Sequence, residues 1–363
     1  MGPVKRRAVV PISLLFCAAC LLFNDPLDQD GLQMRMIPHD TALYVGASLR
    51  ATGKMINSYG DTYPSDHIHY RGVGSSASVL PFGKVTGLTF GRTRIIATRE
   101  QFTDTGFVSV VPRGTLALSS YANVVITNVD GSGFESVASA GQGLGEAAAW
   151  VPGRDSVVYS YGIPGGAGAA DLYVGDLQGN HRLLAAGGRD PRVTADRNWV
   201  YFTGSDVIER IHLDGTGREI VIPTTVAYAD PSPDGTRLVY MHLQIPPGSL
   251  EIRVRTLADS TERLLTDFGL RPRWSPDGSQ IAFWRGDLVT NFGAIYVFDT
   301  TGSNLHQLSP PGRLYGADVL DWSPDGLWLL ARGQEALELI QVSTGLSLPL
   351  GYTADYLAGS WRR

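Results

Sequence analysis

A five-residue pattern recurs in this chain at a nearly constant spacing. The sequence WSPDG stands at 274–278 and again at 322–326, and PSPDG at 231–235 differs only in its first residue. Successive copies begin 43 and 48 residues apart, and each is followed after two residues by an apolar run typical of a β-strand. Such a period marks a supersecondary unit that buries its faces only by stacking against copies of itself.

One unit is clearest over residues 271–310. It contains four short β-rich segments, at 271–274, 280–285, 294–298 and 305–308, separated by turns rich in glycine, aspartate and serine. In the first turn, Pro276 presets φ, Asp277 bonds to its own backbone and Gly278 accepts positive φ. Four antiparallel strands of this length make one propeller blade. We therefore predict an all-β fold, a β-propeller with six to seven four-stranded blades.

Weaker copies of the unit place repeat starts near residues 88, 150, 193, 231, 274 and 322. At the ends of the chain, residues 42–47 resemble the third strand at 171–176, and 359–361 resemble the start of an innermost strand. Termini that share a closing blade would remove exposed sheet edges. The count is then six blades plus a composite seventh, which the pattern slightly favours, or six with extra terminal strands. We predict a propeller over residues 41–363, preceded by a tether over 20–40.

The N-terminus has the pattern of an export signal. The basic cluster at 5–7 precedes a 16-residue apolar stretch, 8–23, which is shorter than the roughly 20 residues of a membrane helix. We predict a signal peptide over residues 1–19. Cys17 and Cys20 are the chain's two cysteines, and a cut before Cys20 would make it a candidate for lipidation. A cleaved soluble N-terminus and an uncleaved anchor remain as alternatives, and membrane attachment would need more than one acyl chain.

Composition and motifs argue against several functions. The formal net charge is −5 and no block of lysine or arginine lies beyond residue 7, which excludes nucleic acid as a partner. The chain contains no Gly-x-Ser-x-Gly nucleophile elbow, no phosphate-binding loop and no cysteine cluster. His67 and His69 are too few to make a metal site by themselves. We expect no catalytic activity, no cofactor and no metal.

The phased WSPDG-type units resemble the propeller repeats of TolB-like proteins over residues 85–363. This resemblance implies an exported periplasmic protein that acts by binding envelope partners. The segment before the first repeat is too short for the α/β domain of TolB itself, so the role of TolB is not carried over. We expect a monomer that binds envelope or secreted proteins. The alternatives are a propeller enzyme of the lactonase or lyase type, and a small-ligand or glycan sensor, either using the central channel.

Charged residues precede the repeat anchors in four successive units. They alternate in sign along the chain: Arg192, Asp230, Arg273 and Asp321. All four should lie on innermost strands, where neighbours of opposite charge can pair around the channel. We favour a structural ring of ion pairs between blades over a ligand site.

Partner contacts are expected on the longer loops between second and third strands, near 101–119, 162–170, 244–250 and 286–293, because variable loops on a rigid scaffold commonly carry binding. Aromatic and charged residues near these loops are the candidates: Tyr161, His242, Trp284, Arg285 and Asp287. Ordinary strand ends would explain the same residues equally well.

Overall fold

The computed structural model describes residues 31–60, 62–64, 67–120, 123–139, 144–162, 170–244, 249–353 and 356–363. These residues form β-strands and turns, with no helix among them. In this described part, accordingly, no helix is long and apolar enough to cross a membrane. The predicted signal peptide and Cys20 lie outside the described residues.

Ten strands precede the propeller. They are β1 (Gln33–Ile37), β2 (Asp40–Tyr44), β3 (Ser48–Arg50), β4 (Thr52–Ile56), β5 (Thr62–Pro64), β6 (His69–Val73), β7 (Ala77–Val79), β8 (Lys84–Gly87), β9 (Gly91–Arg99) and β10 (Phe102–Val111). They make three small sheets with the orders β1-β4-β5, β2-β10-β9-β6 and β3-β8-β7. Buried Met36, Val85 and Val108 belong to the core that these sheets share. We call them the N-terminal sheets.

The following strands form the propeller blades. Blade 1 contains β11 (Thr115–Ser120), β12 (Asn123–Asn128) and β13 (Glu135–Ser139); blade 2 contains β14 (Leu144–Trp150), β15 (Ser156–Gly162), β16 (Asp171–Asp176) and β17 (His181–Ala185). Blade 3 contains β18 (Arg189–Val193), β19 (Trp199–Thr203), β20 (Ile208–His212) and β21 (Glu219–Ile222); blade 4 contains β22 (Val226–Pro231), β23 (Arg237–Gln244), β24 (Ser249–Thr256) and β25 (Glu262–Thr266).

The last two blades continue the series. Blade 5 contains β26 (Leu270–Trp274), β27 (Gln280–Asp287), β28 (Phe292–Asp299) and β29 (His306–Gln307), and blade 6 contains β30 (Tyr315–Trp322), β31 (Trp328–Gly333), β32 (Ala336–Gln341) and β33 (Ser347–Thr353). The final strand, β34 (Tyr356–Trp361), pairs with β11 and is the innermost strand of blade 1.

The innermost strands close a ring. Each of β14, β18, β22, β26 and β30 contacts the next one, and β34 contacts both β30 and β14. In the described residues the ring therefore has six blades, with the C-terminal strand completing the first. The C-terminal strand thereby supplies blade 1 with its innermost strand and closes the ring.

Several details of the N-terminal part differ from the sequence-based expectations. A blade starting near residue 88 and a propeller starting at 41 are wrong, because β9 pairs with β10 and β6, while β2 pairs with β10 in parallel. Adjacent strands of an antiparallel blade do not run parallel, so the strand at 42–47 does not share the closing blade. The tether expected over 20–40 includes β1, and the loop expected at 101–119 is β10 and β11. Apolar and polar residues alternate in the same way in the blades and in the N-terminal sheets, so the sequence pattern assigned strands of these sheets to the propeller.

Tryptophan anchors fill the space between blades. Trp274, Trp322 and Trp361 are each about 1% exposed. The Trp322 Nε1 group donates to the carbonyl oxygen of Arg273 in the preceding blade, at 3.1 Å. The recurring aromatic residue of the repeat is thus a packing wedge, and it holds neighbouring blades at a fixed separation.

The repeated turn is held by its aspartate. Asp277 Oδ1 accepts from the Ser275 hydroxyl at 2.6 Å and from the backbone N–H of Ser279 at 3.0 Å. Asp234 makes the same bonds with Ser232 and Thr236. Because the serine hydroxyl and the backbone N–H stabilise the carboxylate form, the pKa values of Asp234 and Asp277 lie below the usual range.

The N-terminal sheets pack on blades 1 and 6. Ala42 and Val111 belong to the same buried cluster as Trp328 and Leu350. The ring of Phe90 also meets Trp328 edge-on, with ring centroids 5.3 Å apart. The two parts therefore share a buried apolar cluster at their junction.

Candidate functional site

The propeller has two unlike faces. The innermost strand of blade 5 begins beside the end of its second strand, since Leu270 pairs with Trp284. The connection from β27 to β28, residues 288–291, is therefore on the same face as the start of β26. We call this the loop face, and the opposite side, with the turns at 231–235, 274–278 and 322–326, the hairpin face.

Three neighbouring inner strands carry the same distortion near the loop face. The pairing register shifts between Arg189 and Arg192, between Ala227 and Asp230, and between Leu270 and Arg273. Within these β-bulges, Asp190, Tyr228 and Arg271 adopt φ values of 52°, 58° and 51°. Left-handed φ is unfavourable for such side chains, and it clusters at functional sites. The bulge re-aims each side chain out of the regular alternation of the strand.

The three re-aimed side chains meet. Arg271 of blade 5 extends over the Tyr228 ring of blade 4, at 4.5 Å from the centroid, and donates from Nη1 to Asp190 Oδ1 of blade 3 at 3.0 Å. Burial by itself would lower the pKa of Arg271, but the charge of Asp190, helped by Tyr228 and Asp318, raises that pKa. The guanidinium therefore stays protonated across physiological pH.

Blade 6 adds a fourth polar group. Asp318 on β30 forms an ion pair with Arg332, and its Oδ2 accepts from the side-chain amide of Asn291 at 3.2 Å. Asn291 belongs to the 288–291 connection of blade 5, so this bond ties a loop to the channel wall. We call Asp190, Tyr228, Arg271 and Asp318 the channel-mouth cluster.

The four residues expected to form an ion-pair ring lie two or, on β30, three residues further along the inner strands. Arg192 Nε lies 3.9 Å from Asp230 Oδ1. The other oxygen of Asp230 accepts from the backbone N–H of Trp274 at 2.8 Å, and Asp321 accepts from that of Trp361 at the same distance. Each carboxylate thus bonds to the anchor backbone of the next blade.

Arg273 and Asp321 do not form a direct pair within 4 Å among the described residues. Arg273 donates to the carbonyl oxygens of Leu320 and Pro272, at 3.3 and 2.9 Å, while Asp321 is 3.3 Å from Arg363 Nη2. Burial and the nearby charge of Arg192 lower the pKa of Arg273, and Asp230 and Asp321 oppose that shift. Among these four residues the only ion pair within 4 Å is Arg192 with Asp230, at a long 3.9 Å. The blades are joined mainly by hydrogen bonds from Arg273 and to Asp230 and Asp321, rather than by a chain of alternating pairs.

The residues expected to contact partners differ in their burial and in their position on the propeller. The prediction for Trp284 is wrong, because its side chain is completely buried and its Nε1 donates to the carbonyl oxygen of Tyr315 at 2.8 Å. His242 Nδ1 lies 3.4 Å from Glu251. Arg285 is half-buried and Asp287 is exposed near the loop face, where Asp287 caps the backbone N–H of Val289. Tyr161 lies in a groove between blades 1 and 2, away from the channel.

The channel-mouth cluster was not anticipated from sequence. A signal for it exists: Asp190 and Arg271 each precede a proline, Pro191 and Pro272, within an inner strand. Proline cannot donate to a sheet ladder and is found in strands mainly at edges and bulges. A proline just before a repeat anchor therefore marks a bulge, and the residue before it is the one that the bulge re-aims.

Comparison with solved structures identifies the fold. The structure is similar to TolB from Acinetobacter baumannii, with a TM-score of 0.57, 17% sequence identity and coverage of 80% of this chain and 82% of that one. A putative TolB from Agrobacterium tumefaciens has a TM-score of 0.52 and 14% sequence identity, with coverage of 69% of this chain and 99% of that one. A Nidogen/Laminin complex has a TM-score of 0.51 and 10% identity, with the same coverages of 69% and 99%. No protein-family model matches the chain, and no curated protein matches it in sequence.

The predicted all-β, TolB-like propeller is confirmed. Instead of an α/β domain, β-strands occupy the described residues ahead of the first blade. Within that described part, no group of three or more metal-ligating side chains is found.

Proposed function

We propose that this protein is a non-enzymatic interaction module of the bacterial cell envelope, exported by its N-terminal segment, and that it binds a protein partner on the loop face. The observation that supports this most directly is the channel-mouth cluster. Three bulged, left-handed residues in consecutive blades are a costly arrangement that blade folding does not need. Two of the similar structures carry the name TolB and another is a complex of two proteins.

The loop face has the composition of a docking surface. Leu288 and Val289 project from the 288–291 connection with exposures of 53% and 94%, beside Asp287 and the partly exposed Arg285. Apolar side chains surrounded by fixed charges are the usual anatomy of a transient protein interface. The cluster beneath them provides a rigid floor, because its charges are already paired and need little reorganisation on binding.

A photo-crosslinking amino acid placed at Val289 tests the proposal in living cells. We expect one defined envelope protein to be crosslinked from position 289. The matched control is Leu327, which is similarly apolar and 57% exposed but lies on the hairpin face. Equal products from both positions, or no protein product from 289, would contradict a loop-face partner.

A double variant provides an independent test of the loop-face partner. Leu288→Ser with Val289→Ser removes the apolar contact but leaves every bond of the channel-mouth cluster in place. We expect at least a tenfold loss of affinity for the crosslinked partner, since apolar anchors commonly contribute about 1–2 kcal/mol or more each. Leu327→Ser should leave that affinity unchanged.

A further inference from the structure

A groove of about 490 Å³ runs along the outside of the ring between blades 1 and 2, far from the channel wall. One side is formed by residues 136–138 of β13. The other side is aromatic: Tyr159 and Tyr161 from β15, Tyr173 from β16 and His181 from β17. We call this the aromatic groove.

The rings are arranged as a corner. Tyr159 and Tyr173 are stacked, with centroids 5.8 Å apart and planes 20° apart, whereas Tyr161 stands at 88° to Tyr173 at 6.2 Å. His181 Nδ1 lies 3.3 Å from the Tyr159 hydroxyl. Burial, with the neighbouring hydroxyls of Tyr173 and Tyr161 next in effect, raises the pKa of Tyr159 to about 12. The Tyr159 phenol is therefore a neutral hydroxyl group that can both donate and accept hydrogen bonds.

The repeat shows that blade folding does not require this corner. The place of Tyr173 is taken by Glu209 in blade 3, Arg253 in blade 4 and Glu338 in blade 6, as the strand registers show. Each of these charges is paired, with Arg218 at 2.6 Å, Glu251 at 2.8 Å and Arg313 at 3.2 Å respectively. Blade 2 has an uncharged aromatic surface where three other blades have an ion pair.

A glycine on β16 lies directly behind the side chains that line the groove. The register places Gly175 opposite Val157, and the same position holds Ile211, Phe298 and Ile340 in blades 3, 5 and 6, all buried. A Cβ atom at Gly175 would lie 3.0 Å from Tyr159 Cε1 and Val137 Cγ1 and 3.1 Å from His181 Nδ1. Gly175 therefore lets Tyr159, Val137 and His181 pack close to the backbone of β16, where blades 3, 5 and 6 have a large side chain.

We propose that the aromatic groove binds a neutral sugar unit of a glycan. The described residues that line it include no carboxylate, guanidinium or lysine ammonium group, which fits an uncharged ligand. A sugar ring has an apolar C–H face that packs on the electron-rich face of a tyrosine, and hydroxyls that bond to phenol, serine and imidazole groups. The groove volume is within the range of about 300–1,000 Å³ found for small-molecule sites.

Titration of the full chain with maltotetraose, cellotetraose and N-acetylchitotriose, followed by calorimetry and ligand-observed NMR, tests the proposal. We expect saturable binding of at least one of them, with a Kd below about 10 mM. Tyr161→Ala and Tyr173→Ala should each weaken that binding at least about fivefold, because each removes a stacking face. Gly175→Val should also weaken it, because the added side chain would displace Tyr159 and His181 from their positions in the groove.

The control is Tyr296→Ala. Tyr296 has the same register position in blade 5 as Tyr173 in blade 2, and it lies against Phe283; its removal should leave sugar binding unchanged. Decaproline is titrated in parallel, since proline-rich peptides also dock on tyrosine surfaces. The proposal is overturned if no sugar binds, if the tyrosine variants bind as the wild type does, or if decaproline alone binds. None of these outcomes depends on a loop-face partner.

Discussion

Asp190 and Arg271 lie two blades apart, yet their side chains meet over Tyr228 of the blade between them. Both side chains are buried, at 8% and 13% exposure. A buried pair commonly adds little net stability over an apolar replacement, because desolvation offsets the attraction. Loss of one partner is different, since it leaves a buried charge without a counter-charge.

We therefore expect Asp190→Ala to lower the free energy of unfolding by about 3–5 kcal/mol. The double variant Asp190→Ala with Arg271→Ala should cost clearly less than the sum of the two single variants, because it removes both charges together. Urea denaturation of the four proteins measures this coupling. Additive single effects would show that the two charges do not depend on each other.

The turn aspartates predict an acid-sensitive fold. The pKa values of Asp234 and Asp277 are depressed in the folded state, so their stabilisation is complete above the unfolded pKa of about 4 and is lost as the pH falls through the folded value. We expect the melting temperature to decline below about pH 4. Asp234→Asn with Asp277→Asn keeps the amide oxygen as an acceptor but cannot ionise, so its decline should be shallower. Parallel melting curves for both proteins across acidic pH would contradict this assignment.

At the scale of elements, β34 carries the closure of the ring. Trp361 lies near the C-terminus, where a large substitution is ordinarily tolerated. Here its backbone N–H donates to Asp321 of blade 6, and its ring lies so close to Gly114 that a Cβ there would be 2.4 Å from Cζ3. It therefore joins blade 1 to blade 6 and packs against the start of the next strand of its own blade.

Trp361→Ala should destabilise the protein by about 3–5 kcal/mol, as expected for a fully buried aromatic residue in a core. Trp274→Ala, at the equivalent anchor in the middle of the chain, is the matched comparison and should cost a similar amount. Chemical denaturation gives both values. A cost for Trp361→Ala near zero would mean that the ring holds without its C-terminal strand.

At the scale of the whole molecule, the N-terminal sheets and the propeller share a core. Val111 ends β10 and belongs to the buried cluster of Trp328 and Leu350, and Phe90 packs on Trp328. Separating the two parts would expose this apolar surface to water, which is unfavourable. The sheets and the ring should therefore behave as one cooperative unit.

Calorimetry should accordingly show a single thermal transition for the full chain. Val111→Asp places a charge in the shared core, so it should lower the melting temperature while keeping that transition single. Thr62→Asp, at an exposed position of the N-terminal sheets, is the control and should change little. Two resolved transitions in the wild type would contradict a shared core.

The sequence by itself determined the repeat, its four-stranded blade and the TolB-like fold. These follow from local chemistry: the proline, aspartate and glycine of the three SPDG turns set the backbone, and a tryptophan stands at four of the six blade anchors. It also placed Arg192, Asp230, Arg273 and Asp321 on successive inner strands. Local patterns could not separate blades from the N-terminal sheets, because both alternate apolar and polar residues in the same way.

Only the tertiary structure decided the count of six, the closure by β34, the meeting of Asp190 with Arg271 and the aromatic groove. Each depends on residues that are far apart in sequence and are brought together by ring geometry. Arg271 reaches Asp190 because bulges in separate strands turn both side chains to the same axis. Tyr159 and His181 pack close to the backbone of β16 because Gly175 stands where blades 3, 5 and 6 have a large side chain, and the effect of a missing side chain is set by what surrounds it in space.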